Sequence, residues 1–167
     1  MTFVRTTIET PVGDLTLVAS DAGLRAVLWQ LDGEAGVPET GDAVDDPGHP
    51  VLRATAAQLG EYFAGTRTDF DLPLDPHGTP FQQKAWEALR AIPYGETISY
   101  GEQARRLGAP TAMRAVGAAN GRNPIPIIVP CHRVIGSNGS LTGFAAGIET
   151  KAWLLRHESR EATLPGL

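Results

Sequence analysis

The chain has 167 residues and a single cysteine, Cys131. An intramolecular disulfide is excluded, and so is a multi-cysteine zinc cage. The other soft ligands are His49, His77, His132 and His157, spread along the chain. A protein without disulfides suits a reducing cytoplasm. Long hydrophobic runs are also missing: the longest, "IPIIVP", is broken by proline and falls far short of the roughly 18 residues of a spanning helix. The start, "MTFVRTTIE", lacks the charged-then-apolar order of a secretory signal. These absences argue against a membrane or exported protein.

Positive charge is scarce in the first half. Residues 1–78 carry four basic against thirteen acidic side chains, and residues 79–167 carry ten against six. The split, −9 and +4, returns the −5 of the whole chain and directs any polyanion to the second half. Apolar content of 42% and charged content of 20% are those of a globular protein large enough to bury a core.

Three segments alternate apolar and polar residues. "FVRTTIET", "DLTLVAS" and "LRAVLWQ" are separated by the turn formers "PVG" and "DAG", which predicts a three-stranded antiparallel meander. Residues 33–50 are Gly, Pro and acid, a loop. Leu52, Ala56, Leu59 and Phe63 then recur at helical spacing, and Gly65 stops the helix. The expected organisation is an N-terminal α/β domain over 1–72, a linker over 73–78 and a C-terminal domain over 79–167. The fold class is α+β: a small antiparallel sheet with a helix, then a mostly helical domain.

In the second half, Thr79 and Pro80 make an N-cap and first-turn pair for a helix facing inward through Phe81, Ala85, Leu89 and Ile92. Ser99 can cap a short helix through Leu107, with Gly108 beyond its end. Thr111 can cap a second helix to about Asn120. Two short helices across a Gly-containing turn form a helix-turn-helix pattern. The second is built of Ala112, Ala115, Gly117, Ala118 and Ala119 around Arg114. Small residues there permit tight packing against a helix, or close approach to a phosphate backbone or a narrow groove. Beyond Asn123, "PIPIIVP" reads as extended, and "RVIG" and "SLTGF" as short strands around an Asn-Gly turn. The last helix starts near Ile148, with Ile148, Ala152 and Leu155 facing inward and Glu158 at its end.

Cys131 stands between Pro130 and the pair His132-Arg133. A lone buried cysteine is commonly a small apolar residue, but imidazole and guanidinium are poor neighbours for one in a dry core. A thiol becomes a nucleophile where positive charge or a base favours the thiolate. In an extended segment, adjacent side chains point to opposite faces, so His132 would act on Cys131 through a water. Glu158 is of the type needed to orient His132.

The segments "IPIIVPCHRVIG", "TISYGEQARRLG", "RAVGAANGRNP" and "GFAAGIETKAWLLRHE" together resemble the O6-alkylguanine-DNA alkyltransferases. The resemblance runs almost continuously over 79–158. It implies direct-reversal repair: an alkyl group leaves O6 of guanine, or O4 of thymine, in duplex DNA and becomes a permanent thioether on Cys131, once per molecule, with no metal or cofactor. His132 would be the base, Glu158 the carboxylate behind it and Asn123 the brace of the turn. Tyr100 would serve base extrusion and donate toward N3, and Arg114 would fill the gap in the stack. Thr111, Ala112, Ala115, Arg122 and Arg133 would meet DNA. The backbone of Val134, with Phe144 and the N–H near Ala145, would line the guanine pocket. The partner is double-stranded DNA, met by a monomer; clustering along DNA stays open. Phe144 stands where the family often has tyrosine, and Ala146 in a run usually richer in glycine. Three other readings remain: a helix-turn-helix regulator with a structural cysteine, a cysteine hydrolase, and a lesion-binding protein without transfer.

Overall fold

The computed structural model describes residues 3–29, 43–141, 144 and 147–163, with side chains to residue 159. The chain forms two compact units, Met1–His77 and Gly78–Leu167.

In the first unit, β1 (Val4–Ile8), β2 (Leu15–Ser20) and β3 (Gly23–Trp29) form the expected antiparallel meander. A fourth strand, β4 (Val44–Asp45), pairs parallel to β1, giving the order β3-β2-β1-β4. It arises from the end of the segment read as loop, where two residues suffice to cover part of an edge. Strands β2 and β3 are buried almost throughout, because helix α1 (Pro50–Phe63) packs on them and a second cluster of Val18, Ala26, Ala43, Phe3 and Leu28 gathers apart.

The buried stripe of α1 is Leu52, Thr55, Leu59 and Tyr62, so Thr55 and Tyr62 replace the expected Ala56 and Phe63. Thr55 can enter because its hydroxyl donates to the Val51 carbonyl at 2.7 Å. Residues beyond α1 return to the sheet: Leu24 N–H donates to Pro73 O at 2.8 Å and Asp75 N–H to Leu24 O at 2.7 Å. Gly23, at φ 150°, permits this crossing, since a Cβ there would lie 2.5 Å from Pro73 O.

The second unit opens with α2 (Pro80–Arg90), whose N-terminus carries a complete capping box between Thr79 and Gln82. Its buried face is Ala85, Trp86 and Leu89, and the Trp86 indole donates to Ala119 O at 2.8 Å. Strand β5 (Ile98–Ser99) leads into α3 (Tyr100–Arg106), capped by Ser99 as expected. Gly108, at φ 73°, closes α3. Helix α4 (Met113–Gly121) follows, and its N-cap is Ala112, with no side-chain cap. Thr111 therefore does not perform the capping expected of it.

Gln103 and Asn120 fix the angle between α3 and α4. Gln103 Nε2 donates to Asn120 Oδ1 at 3.0 Å and Asn120 Nδ2 to Gln103 Oε1 at 2.8 Å, both side chains buried. Gln103 Nε2 also reaches Ala85 O at 3.3 Å, tying the pair to α2. The inward face of α4 is Val116, Ala119 and Asn120, while Arg114, Ala115, Ala118, Gly121 and Arg122 face solvent. Its outer small residues are thus not packed against another helix.

The stretch before the thiol is not extended. Pro126 and Val129 bridge, Val129 N–H donates to Ile125 O at 2.9 Å, and Ile127 sits at φ 75°. A β-branched residue in that region is strained, and burial of Ile127 and its neighbours holds it there. Cys131–Arg133 then forms one 3-10 turn, also against the extended reading. Strand β6 (Val134–Ile135) pairs parallel with β5, while residues 142 and 143 of the strand expected after the Asn-Gly turn lie outside the described residues. The turn itself is present: Gly136 N–H donates to Ser140 O at 2.8 Å, and Gly139 has φ 85°.

Helix α5 (Ile148–Thr163) buries Lys151, Leu154 and Glu158. The expected stripe of Ile148, Ala152 and Leu155 is rotated, and Ile148 is 58% exposed. A search for apolar periodicity misses a face made of two charged residues that find partners inside.

Candidate active site

The 3-10 turn brings Cys131, His132 and Arg133 into the interior of the second unit, and α5 brings Glu158 to meet them. His132 is fully buried. Its Nε2 donates to Glu158 Oε2 at 2.6 Å. The carboxylate partner assigns the proton to Nε2, which leaves Nδ1 with a lone pair. No hydrogen-bond partner meets that buried Nδ1 among the described residues. Burial holds the imidazole below its ordinary pKa, outweighing the upward pull of Glu158, so the ring is neutral and Nδ1 is basic.

Glu158 receives more than His132. Arg133 Nε donates to Oε1 at 2.9 Å and Arg133 Nη2 to Oε2 at 3.1 Å; Gly95 N–H reaches Oε1 at 3.4 Å. Burial alone would raise this carboxyl, but the hydrogen bonds from His132 and Arg133 and the charge of Arg133 hold it well below the usual carboxylate range. Arg133 also donates from Nη1 to Ile92 O at 2.7 Å and stacks its guanidinium over Tyr94 at 5.7 Å. Sequence reasoning placed Arg133 among the DNA contacts. The structure corrects this: the side chain is buried and spends its planar fork on Glu158 and a main-chain carbonyl.

Cys131 is 8% exposed. Burial pushes its thiol up, while a hydrogen bond from Asn123 and the charge of Lys151 pull the other way. Asn123 braces the turn: its Nδ2 donates to Val129 O at 2.8 Å and its Oδ1 accepts from Ile125 N–H at 3.0 Å.

Lys151 was not found by sequence reasoning. It is 1% exposed, donates to Val134 O at 2.7 Å and lies 5.8 Å from the Tyr100 ring centre. Burial lowers its pKa, and the charge of Cys131 opposes this. A lysine in a predicted surface helix carries no signal of burial; its spacing of seven from Glu158 is the trace it leaves.

Tyr100 begins α3, half-buried, with its ring beside Gly117 of α4. Arg114, Thr111, Ala115 and Arg122 are exposed and Ala112 half-buried, on α4 or just before or after it. Val134 is buried on β6 and Phe144 half-buried. Ala145 and Ala146 lie outside the described residues. Among the described residues no cluster of three His, Cys, Asp or Glu could hold a metal.

A thiol and a buried His-Glu pair beneath a helix-turn-helix define a class: a cysteine-dependent protein built on a nucleic-acid-binding scaffold. Family comparison makes the class specific. Residues 80–160 match the DNA binding domain of 6-O-methylguanine DNA methyltransferase, and residues 3–76 match its ribonuclease-like domain. The chain belongs to this family. It is 51% identical over 158 residues to a methylated-DNA–protein-cysteine methyltransferase of Mycobacterium tuberculosis, covering 93% of this chain and 92% of that protein. Crystal structures of M. tuberculosis O6-methylguanine methyltransferase (48% identity, TM-score 0.86, 95% and 94% of the two chains covered) and of M. tuberculosis OGT in complex with DNA (47%, 0.85, 96% and 94%) share its fold. The activity is that of the family: DNA repair by transfer of a methyl group from O6-methylguanine to a cysteine. The hydrolase reading and the regulator reading are thereby set aside.

Proposed function

We propose that Cys131 is the acceptor and that transfer occurs once per molecule, on a nucleotide swung out of duplex DNA. The observation that carries this is the buried His132 imidazole, adjacent in sequence to Cys131 and bonded through Nε2 to Glu158, whose Nδ1 meets no hydrogen-bond partner among the described residues. The thiol proton passes to Nδ1, directly or through a water. Sγ attacks the methyl carbon; the C–S bond forms, the C–O6 bond breaks, and the electron pair leaves on the purine. The charge of Lys151 favours formation of the thiolate. The Tyr100 hydroxyl donates toward N3 as negative charge grows there.

Extrusion is needed because O6 lies inside the duplex; unstacking costs a few kcal/mol, and least for a weakly paired base. Arg114 enters the vacancy. The solvent-facing Ala115, Ala118 and Gly121 let α4 lie close to the backbone in the minor groove, with Thr111, Ala112 and Arg122 beside it. The same chemistry accepts O4 of thymine. The protein works as a cytoplasmic monomer.

The test is to incubate the protein with duplex DNA containing one O6-methylguanine and weigh it. One methyl group appears on Cys131, in proportion to protein, and Cys131→Ala shows none. Sustained turnover, or repaired DNA with unmodified protein, overturns the proposal.

A further inference from the structure

Met113 is 47% exposed, one of three large apolar side chains so exposed among the described residues. It is the first residue of α4, on a helix whose other solvent-facing positions are Arg114, Ala115, Ala118, Gly121 and Arg122. A long side chain among alanines and a glycine stands proud of that face. Its thioether has a defined seat. The sulfur lies 3.6 Å and the terminal methyl 3.9 Å from where a Cβ on Gly101 would be, a contact distance that seats the thioether against the start of α3. A Cβ on Gly117 would lie 3.9 Å from the Tyr100 ring. Met113 thus lies beside Gly101 at the start of α3, one residue after Tyr100, whose own ring lies beside Gly117 of α4.

We propose that Met113 is an apolar wedge for duplex DNA, acting with Arg114 during extrusion of the damaged nucleotide. This rests on the reading above, in which α4 lies in the minor groove. Successive helical residues point about 100° apart, so Met113 and Arg114 aim at different places. Arg114 takes the vacancy. Met113, seated beside Gly101, packs on the sugar and base edge of the adjoining step. Minor-groove proteins use Met, Leu or Phe in this way to loosen stacking. An unbranched, polarizable thioether fits a groove about 6 Å wide where a branched chain meets its walls. No proton or electron moves; Met113 lowers the cost of reaching the swung-out state.

The full chain with Met113→Ala, and separately with Met113→Gln, is compared with the unaltered protein on duplex O6-methylguanine DNA and on free O6-benzylguanine. Both variants slow the duplex reaction about fivefold, matching a partial loss of the unstacking contribution. Both keep the free-base rate and the salt dependence of DNA affinity, because no phosphate contact is lost. A 2-aminopurine placed next to the lesion brightens less with Met113→Ala. An undiminished duplex rate overturns the wedge. Equal slowing on both substrates also overturns it, since Met113 would then act through its packing on Gly101. If the unaltered protein moves no methyl group at all, the reading of Cys131 fails first, a result distinct from either.

Discussion

Glu158 is the residue on which the site turns. It takes three hydrogen bonds from two buried side chains, one a base and the other a permanent cation. Glu158→Gln removes the charge that fixes the His132 tautomer and leaves Arg133 uncompensated. Alkyl transfer should fall about a hundredfold, and unfolding free energy by about 3–5 kcal/mol; single-turnover kinetics and urea titration measure the two separately. Arg133→Met makes a contrasting case. Stability drops, but the slope of DNA affinity against salt stays unchanged, because the guanidinium meets Glu158 and Ile92 O instead of phosphate. A shallower slope would return Arg133 to the DNA surface.

Acid sensitivity follows from the same pair. His132 has a native pKa below its ordinary value of about 6.5, so below that pH the unfolded chain binds more protons and stability declines as pH falls. Glu158 is held low, so it adds a second loss below about pH 4.3. Urea midpoints at pH 7.5, 5.5 and 4 should descend in two stages, and the second stage should shrink in Glu158→Gln.

Elements were legible where their signals are local. Thr79-Pro80, Ser99 and Gly108 announce helix ends through hydrogen bonds made within one turn, and each lies where expected. The meander was visible because alternation and turn residues are also local. The turn around Ile127 was not, because a β-branched residue at positive φ is imposed by packing and has no composition cue. The α5 stripe failed for a related reason: Lys151 and Glu158 are inside only because Val134 O, His132 and Arg133 wait for them from distant parts of the chain. Cys131, His132 and Glu158 were nameable from types and resemblance; Lys151 and the Gln103-Asn120 pair needed coordinates. That pair predicts its own test. Gln103→Ala strands the Asn120 amide in the interior and should cost about 1–3 kcal/mol, slowing repair of duplex DNA more than reaction with free base as α4 loses its angle to α3.

For the whole molecule, electrostatics are sparing. The chain is net −5, and on α3 the basic Arg105 and Arg106 are both engaged by Glu102. That leaves Arg114 on α4 and Arg122 just past its end as the exposed cations beside α3. With two unengaged cations on the helix-turn-helix face, DNA binding has a weak salt dependence, a slope of log K against log salt of about −2. Glu102→Gln releases two arginines; affinity at low salt should rise and the slope steepen toward about −4. Fluorescence anisotropy over a salt series reads both, and an unchanged slope would show that Arg105 and Arg106 lie off the DNA path.

Glu158 follows His132 by 26 residues, on the last described helix. During synthesis the sulfur and its imidazole therefore leave the ribosome before the carboxylate that aligns them. On the proposed mechanism a chain made only as far as His132 lacks the carboxylate that fixes its base, so Cys131 gains its reactivity only once α5 has docked.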